Sequence, residues 1–516
     1  RRAFVSSENG LLYIQIQCDS SIAYTLGFDT YKKEKSIFKN DKSSVDPKRG
    51  LIFFSAECDG ASFGGALSVE TTDGTISASG NDTLDIKARS FTIKLGTFAK
   101  EAPENAFSSL KKLLADSPDF ESALSTHSVK FSAEFNRTQI ELTSINDEII
   151  LKSNRELIDI AYDKVAPSAL YEKLWKYARY LFLSGTAKGS NPFSLYGIWF
   201  GDYALCWSQN VLNENIELIY EHTLCGGLAE RLREFIHYFY KMIPEAQELA
   251  SKVYGCRGIY LPAYTHPETI DGKNTLELSP SVPVISGWIS AAGWVSLYFY
   301  KYYKYTHDVE LLNHEILPFM LEAARFYADY AVLDATGKVK LYPSVSPENT
   351  PGNLMPPQFK ENFDHVCPIS ENATMDIAIM KSLIKKLLEL LDAPECLMIV
   401  DRDELSALRK LREKFPDYMV NSDGAVKEWT SERLSDFYMH RHFSHLFPVF
   451  PGNEITRESD PKLFKAFRRA IELRPHGAQS GWSFSHVASI WARFGDGEKA
   501  LENLDLLIKG CLLDNF

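Results

Sequence analysis

Near residue 166 the hydrophobic repeat of this chain changes period, and that change limits what it can fold into. Before it, apolar residues alternate. "LLYIQIQ" puts Leu12, Ile14 and Ile16 on one face, and "TLDIKARSFTIKL" does the same with Leu84, Ile86 and Ala88, then Phe91, Ile93 and Leu95. Period two is the pleat of a half-buried strand. Gly80-Asn81-Asp82, between "TISAS" and "TLDIK", reads as a hairpin turn. One helical stretch, "ENAFSSLKKLLADS", interrupts this β region. Beyond 166 the spacing becomes three or four, as in Leu170, Leu174, Tyr177 and Leu181 of "SALYEKLWKYARYLFLSG". It recurs in "GLAERLREFIHYFYKMI", "GWVSLYFYKYYKYT", "EILPFMLEAARFYADYAV", "ATMDIAIMKSLIKKLLELL", "PKLFKAFRRAIEL", "SHVASIWARFG" and "GEKALENLDLLIKGC". Long loops rich in Gly, Pro and aromatics separate these helices, and such loops usually carry function.

The expected fold class is therefore multidomain, α and β. Residues 1–145 read as a β-sandwich, 146–166 as a linker, and 167–516 as an (α/α)6 toroid holding the catalytic site. "RRAFVSSENG" lacks a basic region followed by an apolar core, so it is no signal peptide and reads as a strand entered mid-fold. The end, "LLIKGCLLDNF", is equally abrupt, and the chain reads as a piece of a longer protein. The sequence leaves compartment and oligomeric state open.

A net charge of −12 argues against a nucleic-acid partner, which needs a basic face. No run of 18 apolar residues free of charge is present, so no membrane span is expected. The eight cysteines form no CxxC pair and read as isolated thiols.

Four loops could carry chemistry. "YGIWFGDYALCWSQNVLNENIELIYEH" (196–222) gathers Trp199, Asp202, Trp207, Asn213, Asn215 and Glu217. Flat rings stack on sugar C–H faces and amides bind hydroxyls; the same asparagines would also cap a helix. "YGCRGIYLPAYTHPET" (254–269) offers Arg257 and His266 without diagnostic spacing, and reads equally as a structural loop. "LYPSVSPENTPGN" (341–353) holds one acid, Glu348, directly after Pro347. Prolines stiffen the backbone and lower the entropy cost of aiming a carboxylate; a cap for the next element is the competing reading. "MHRHFSHLFPVFPGNEIT" (439–456) has His440, Arg441, His442 and His445, but no His-Glu-x-x-His spacing and no flanking carboxylate to complete a metal set. No metal or other cofactor is expected. Trp482 follows on a Gly-Ser turn leading into a helix.

Taken in order, "GIWFGDY" with "WSQNVLNENIELIY", "YGCRGIY", "SPSVPVISGW", "SPENTPGN", "RHFSHLFPVFPGNEIT" and "SGWSFSHVASIWARFGDGEKA" resemble glycoside hydrolase family 95 over roughly 130–516. The family's best-known members are inverting 1,2-α-L-fucosidases, and some are α-L-galactosidases. The resemblance implies an exo-acting glycosidase with an oligosaccharide or glycan substrate. Glu348 matches the general acid of the family's Ser-Pro-Glu loop. Asn213 and Asn215 match the asparagines that hold the attacking water, with Glu217 and Tyr220 keeping register. Ile219 and Glu221 depart from that motif's third Asn and its Trp. Arg441 and His442 match a pair that contacts the sugar, and Trp207, Glu217, Thr265, Trp288 and Trp482 join them as expected substrate-binding residues. In the family an Asp of an Asp-Gly-Asn-Phe-Gly motif polarises the water-holding amide; that motif is expected beyond residue 516. Family fucosidases carry a His-His-Asn-Thr-Asp run after Cys-Arg-Gly, where this chain has Pro262-Ala263-Tyr264-Thr265-His266. Losing those polar partners bears directly on fucose specificity. Two alternatives stay open: a non-catalytic glycan-binding relative, and an (α/α)6 hydrolase or phosphorylase of another specificity.

Overall fold

The computed structural model describes residues 1–28, 39–58, 60–142, 149, 151–199, 207, 209–266, 276–277, 287–357, 369–476 and 479–513. The chain divides into two compact units, one built on Arg1–Arg137 and the other on Thr138–Pro267 and Asn274–Phe516.

In the first unit the described strands form one antiparallel sheet: β1 (Arg2–Val5), β2 (Leu12–Gly27), β3 (Lys39–Asp46), β4 (Leu51–Cys58), β5 (Ala61–Glu70), β6 (Thr75–Ser79) and β7 (Thr83–Ala99). Their order is β1-β2-β7-β5-β4-β3, with β6 also pairing to β7. The parity change in β7, from Leu84, Ile86 and Ala88 to Phe91 and Ile93, has a structural cause. Gln17 pairs with Ser90 and Ile22 with Ala88, so four residues of β2 stand opposite Arg89 alone. Such a bulge bends the sheet. Both halves of β7 then bury their apolar face in one cluster with Ile52, Leu67 and Val69. The other face packs Leu11, Tyr13, Leu51 and Ala66 against Leu110 and Leu114 of the helix Pro103–Asp116, and against Phe120 and Ala123 of the helix Phe120–Phe135. Gly96 permits that approach, since a Cβ there would lie 2.7 Å from Leu110 Cδ2. Two separate sheets of a sandwich are not seen among the described strands. The second helix, capped by Asp119, is not foreseen by the alternation.

The second unit is helical. All eight segments with three-to-four spacing are helices, and among the described residues Asn154–Asp163, Ile243–Tyr254 and Arg402–Arg412 join them. Asn154–Asp163 falls inside the expected linker and opens on a Ser153/Glu156 capping box. Ala291–Thr306, Leu317–Tyr330 and Thr374–Leu391 pack on one another, with Trp294, Phe299, Phe319 and Tyr327 fully buried. Close packing rests on Gly293, whose Cβ would lie 2.5 Å from Ile379 Cγ2 and 2.7 Å from the Tyr327 hydroxyl. The last helix, Gly497–Cys511, returns to the first two: Ile508 shares a buried cluster with Leu157, Ile158, Ala161, Ala169 and Leu170. Asp505 there accepts the Ala166 N–H at 2.9 Å. No described helix is long and apolar enough to cross a membrane.

Candidate active site

The Ser-Pro-Glu loop runs between the helices Leu317–Tyr330 and Thr374–Leu391, and alternate residues hold it down. Ser344 Oγ donates to Asp376 Oδ2 at 2.7 Å, and Ser290 donates to the other oxygen at 2.6 Å. Asp376 lies in the first turn of the helix Thr374–Leu391, fully buried; burial pushes its carboxyl up to about 6 despite the two serine donors. Two residues on, Ser346 Oγ donates to Glu428 Oε1 at 2.6 Å. Glu428 is also buried. Burial opposes its charge, but His445, 2.9 Å away, and the Arg474 guanidinium hold its carboxyl well below the usual range. Two residues further, Glu348 has a φ of +56°, a left-handed conformation that costs a residue with a Cβ.

The Glu348 carboxylate accepts from the Arg441 guanidinium and, at 3.0 Å, from His442 Nε2. On the other side of that imidazole, Nδ1 lies 2.9 Å from Glu214 Oε2. The second oxygen of Glu214 pairs with His486 Nδ1. Arg441, Glu348, His442, Glu214 and His486 thus form one continuous row of alternating charge types. Burial opposes a charged His442, but Glu348 and Glu214 on its two sides raise its pKa to about 9. Burial likewise opposes the charge of Glu214, and the two imidazoles draw its pKa down. Trp482 packs on His442 with ring centroids 4.7 Å apart, and His440 stacks on it at 5.2 Å.

Glu214 stands between Asn213 and Asn215 in sequence, so the row ties the segment that carries both to the Ser-Pro-Glu loop. The two-residue strand Asn210–Val211 pairs with Tyr264–Thr265 and delivers this segment. Asn215 opens a short helix, Asn215–Tyr220. Asn213 is buried and its Oδ1 has no hydrogen-bond partner among the described residues, so it is free to accept from water. Trp207, nearly half exposed, sits edge-on to Tyr264 with centroids 6.2 Å apart.

Three expected substrate-binding residues are placed otherwise. Glu217, Thr265 and Trp288 have no exposed surface. Trp288 packs edge-on against Trp294, so it has no open face for a sugar. Burial and the charge of Glu214 raise the Glu217 carboxyl well above its usual range. Arg257 forks onto Asp329 at 2.9 and 2.7 Å and holds helices together. Asp202 lies outside the described residues. The three histidines do not converge: His442 faces Glu348 and Glu214, while His445 faces Glu428. Among the described residues no group of three or more His, Cys, Asp or Glu is placed to hold a metal ion. Glu214, His486, Asp376 and Glu428 escaped the sequence reading. Only the position of Glu214, inside Asn-Glu-Asn, could have drawn attention to it.

Residues 119–516 match the family model for the glycosyl hydrolase family 95 catalytic domain. The chain is 27% identical over 369 residues to an "Alpha-L-fucosidase 2" of Arabidopsis thaliana, covering 71% of this chain and 42% of that protein. It is 24% identical over 476 residues to a "Probable alpha-fucosidase A" of Aspergillus niger, covering 88% and 53%. The chain thus spans about half the length of these curated relatives. Among solved structures, a "Putative kojibiose phosphorylase from human microbiome" superposes with a TM-score of 0.68 over 98% of this chain and 68% of its own, at 12% identity, a likeness of fold.

Proposed function

The chain belongs to glycosyl hydrolase family 95, and from that premise we propose that it is an exo-acting, inverting glycosidase. Its product is a terminal α-L-fucose or α-L-galactose-like sugar released from oligosaccharides or glycans. Glu348 is the general acid and protonates the leaving oxygen. A water held by the amides of Asn213 and Asn215 attacks the opposite face of the ring, across a gap of about 6.5–9.5 Å in inverting enzymes. An amide cannot take a proton, so a carboxylate must activate it; by family resemblance this is the Asp of Asp-Gly-Asn-Phe-Gly, a motif this sequence does not contain.

The observation that carries this reading is the row from Arg441 to His486. It ties the anchored acid loop to the Asn-Glu-Asn segment through one imidazole. The row also supplies the proton. Arg441 and His442 both face Glu348. A sugar that draws Arg441 onto its hydroxyls leaves Glu348 and His442 to share one proton across 3.0 Å. Trp482 and Trp207 offer rings for the sugar. The return of the last helix onto the first supports reading the helical unit as an (α/α)6 toroid, and the bent N-terminal sheet as part of a β-sandwich. Pro262, Ala263 and Tyr264 stand where family fucosidases carry His, His and Asn, so other contacts set the sugar.

The test incubates the full-length protein with p-nitrophenyl glycosides and with fucosylated and galactosylated oligosaccharides, following the released sugar by proton NMR. The reading expects a first-formed sugar of inverted anomeric configuration. A retained anomer overturns it. Saturable binding of one glycan without cleavage would favour the binding-protein alternative.

A further inference from the structure

The helix Thr374–Leu391 walls a second cavity, of about 340 Å³, a size that suits a sugar-sized ligand. Lys381, Lys385, Lys386 and Arg412 line it, with Phe415 and Phe447 as apolar walls and Glu454 as the one acid of the lining. Four cations around one cavity run against a chain of net charge −12. The acid does not balance them. One oxygen of Glu454 pairs with Lys381 at 2.6 Å and the other accepts from the Tyr418 hydroxyl at 2.6 Å. Among the described residues Lys385 and Arg412 form no ion pair.

Lys386 is the telling group. It is 8% exposed, and its ammonium donates to Ser382 Oγ at 2.8 Å and sits over the Tyr300 ring at 5.4 Å. No carboxylate of the described residues comes within ion-pair distance. Burial, then Lys385 and Lys301 nearby, pulls its pKa down to about 8 against the more distant attraction of Glu454 and Glu389. A buried ammonium with no carboxylate in direct contact is costly, and an anion entering the cavity lowers that cost. Lys386 is ten residues beyond Asp376, about 15 Å along the helix axis, so this cavity is separate from the anchored acid loop.

We propose that the cavity binds a tetrahedral oxyanion, the phosphate or sulfate group of a modified sugar. Lys386 is the buried contact, and Lys385 and Arg412 close over the anion from the exposed side. A guanidinium fork suits such a group, and the two phenylalanine faces suit the sugar ring.

Thermal shift and titration calorimetry test this with inorganic phosphate, sulfate, glucose 6-phosphate and galactose 6-sulfate. Sodium chloride at matched ionic strength and the unmodified sugars are the controls. Saturable stabilisation by an oxyanion and not by chloride is expected, and the tighter of the two esters names the source. Lys386→Met removes the unpaired charge, so it should keep or raise the melting temperature while losing the response. Arg412→Gln, at an exposed position, should keep the fold and weaken binding about tenfold. A response no greater than that to chloride, or binding that both variants retain, overturns the proposal. Neither readout depends on glycosidase activity.

Discussion

Glu348 holds a left-handed backbone because its neighbours two and four residues back are fixed to buried carboxylates. Strain of about 1–3 kcal/mol persists only where surrounding contacts impose it, and Ser344 and Ser346 impose it here. His442 is the pivot of the row. Its pKa of about 9 lies above the ordinary 6.5, so the folded protein binds this proton more tightly than the unfolded chain. The stability this contributes is complete below about pH 6.5 and is lost as pH rises through about 9. His442→Gln should therefore flatten the fall in melting temperature between pH 6.5 and 9, as measured by differential scanning calorimetry. An unchanged pH profile would remove His442 from this account. The Ser-Pro-Glu and Arg-His motifs were legible in the sequence because their residues are consecutive. Asp376 and Glu428 were not, since their partners lie 32 and 82 residues away. Trp288 misled because a tryptophan in a Gly-Ser loop reads the same whether it faces a sugar or the core.

Helices with a continuous apolar stripe were read correctly from spacing alone. Arg402–Arg412 was missed although Leu405, Leu408 and Leu411 recur every three residues: the stripe is short, set among charged residues, and buries only Leu408. Ile243–Tyr254 follows the preceding helix with a proline in its first turn, and the pattern runs on without a visible break. In the sheet, the sequence reading set Leu84, Ile86 and Ala88 on one face with Phe91, Ile93 and Leu95 and did not account for the odd step between them, which the bulge in β2 supplies. Three central helices depend on Gly293 for their approach. Gly293→Ala should cost about 1–3 kcal/mol through overpacking against Ile379 and Tyr327. Urea denaturation measures this, and a neutral or stabilising result would mean that the helices have room to part.

At the scale of the whole chain, the helical unit is closed by contacts between its two ends. Ile508, 1% exposed, fills the space between the helices Asn154–Asp163 and Ser168–Gly185. Ile508→Ala should destabilise the helical unit by about 2–5 kcal/mol, a cost out of keeping with a fraying terminal helix. Calorimetry that shows less than about 1 kcal/mol would mean the last helix is dispensable to the unit. Which helices the last one meets was beyond sequence reading, because nothing in the local pattern of "ALENLDLLIKG" names a distant partner.

The central claim is that Glu348 delivers the proton to the leaving oxygen. It is tested most directly by comparing Glu348→Gln with wild type on two substrates of the same sugar, one with a natural sugar leaving group and one with a dinitrophenyl leaving group. The account predicts that kcat/KM falls about 10²–10⁴-fold on the natural substrate and far less on the dinitrophenyl glycoside, whose leaving group needs no proton. An equal loss on both substrates, or no loss on the natural one, would contradict it.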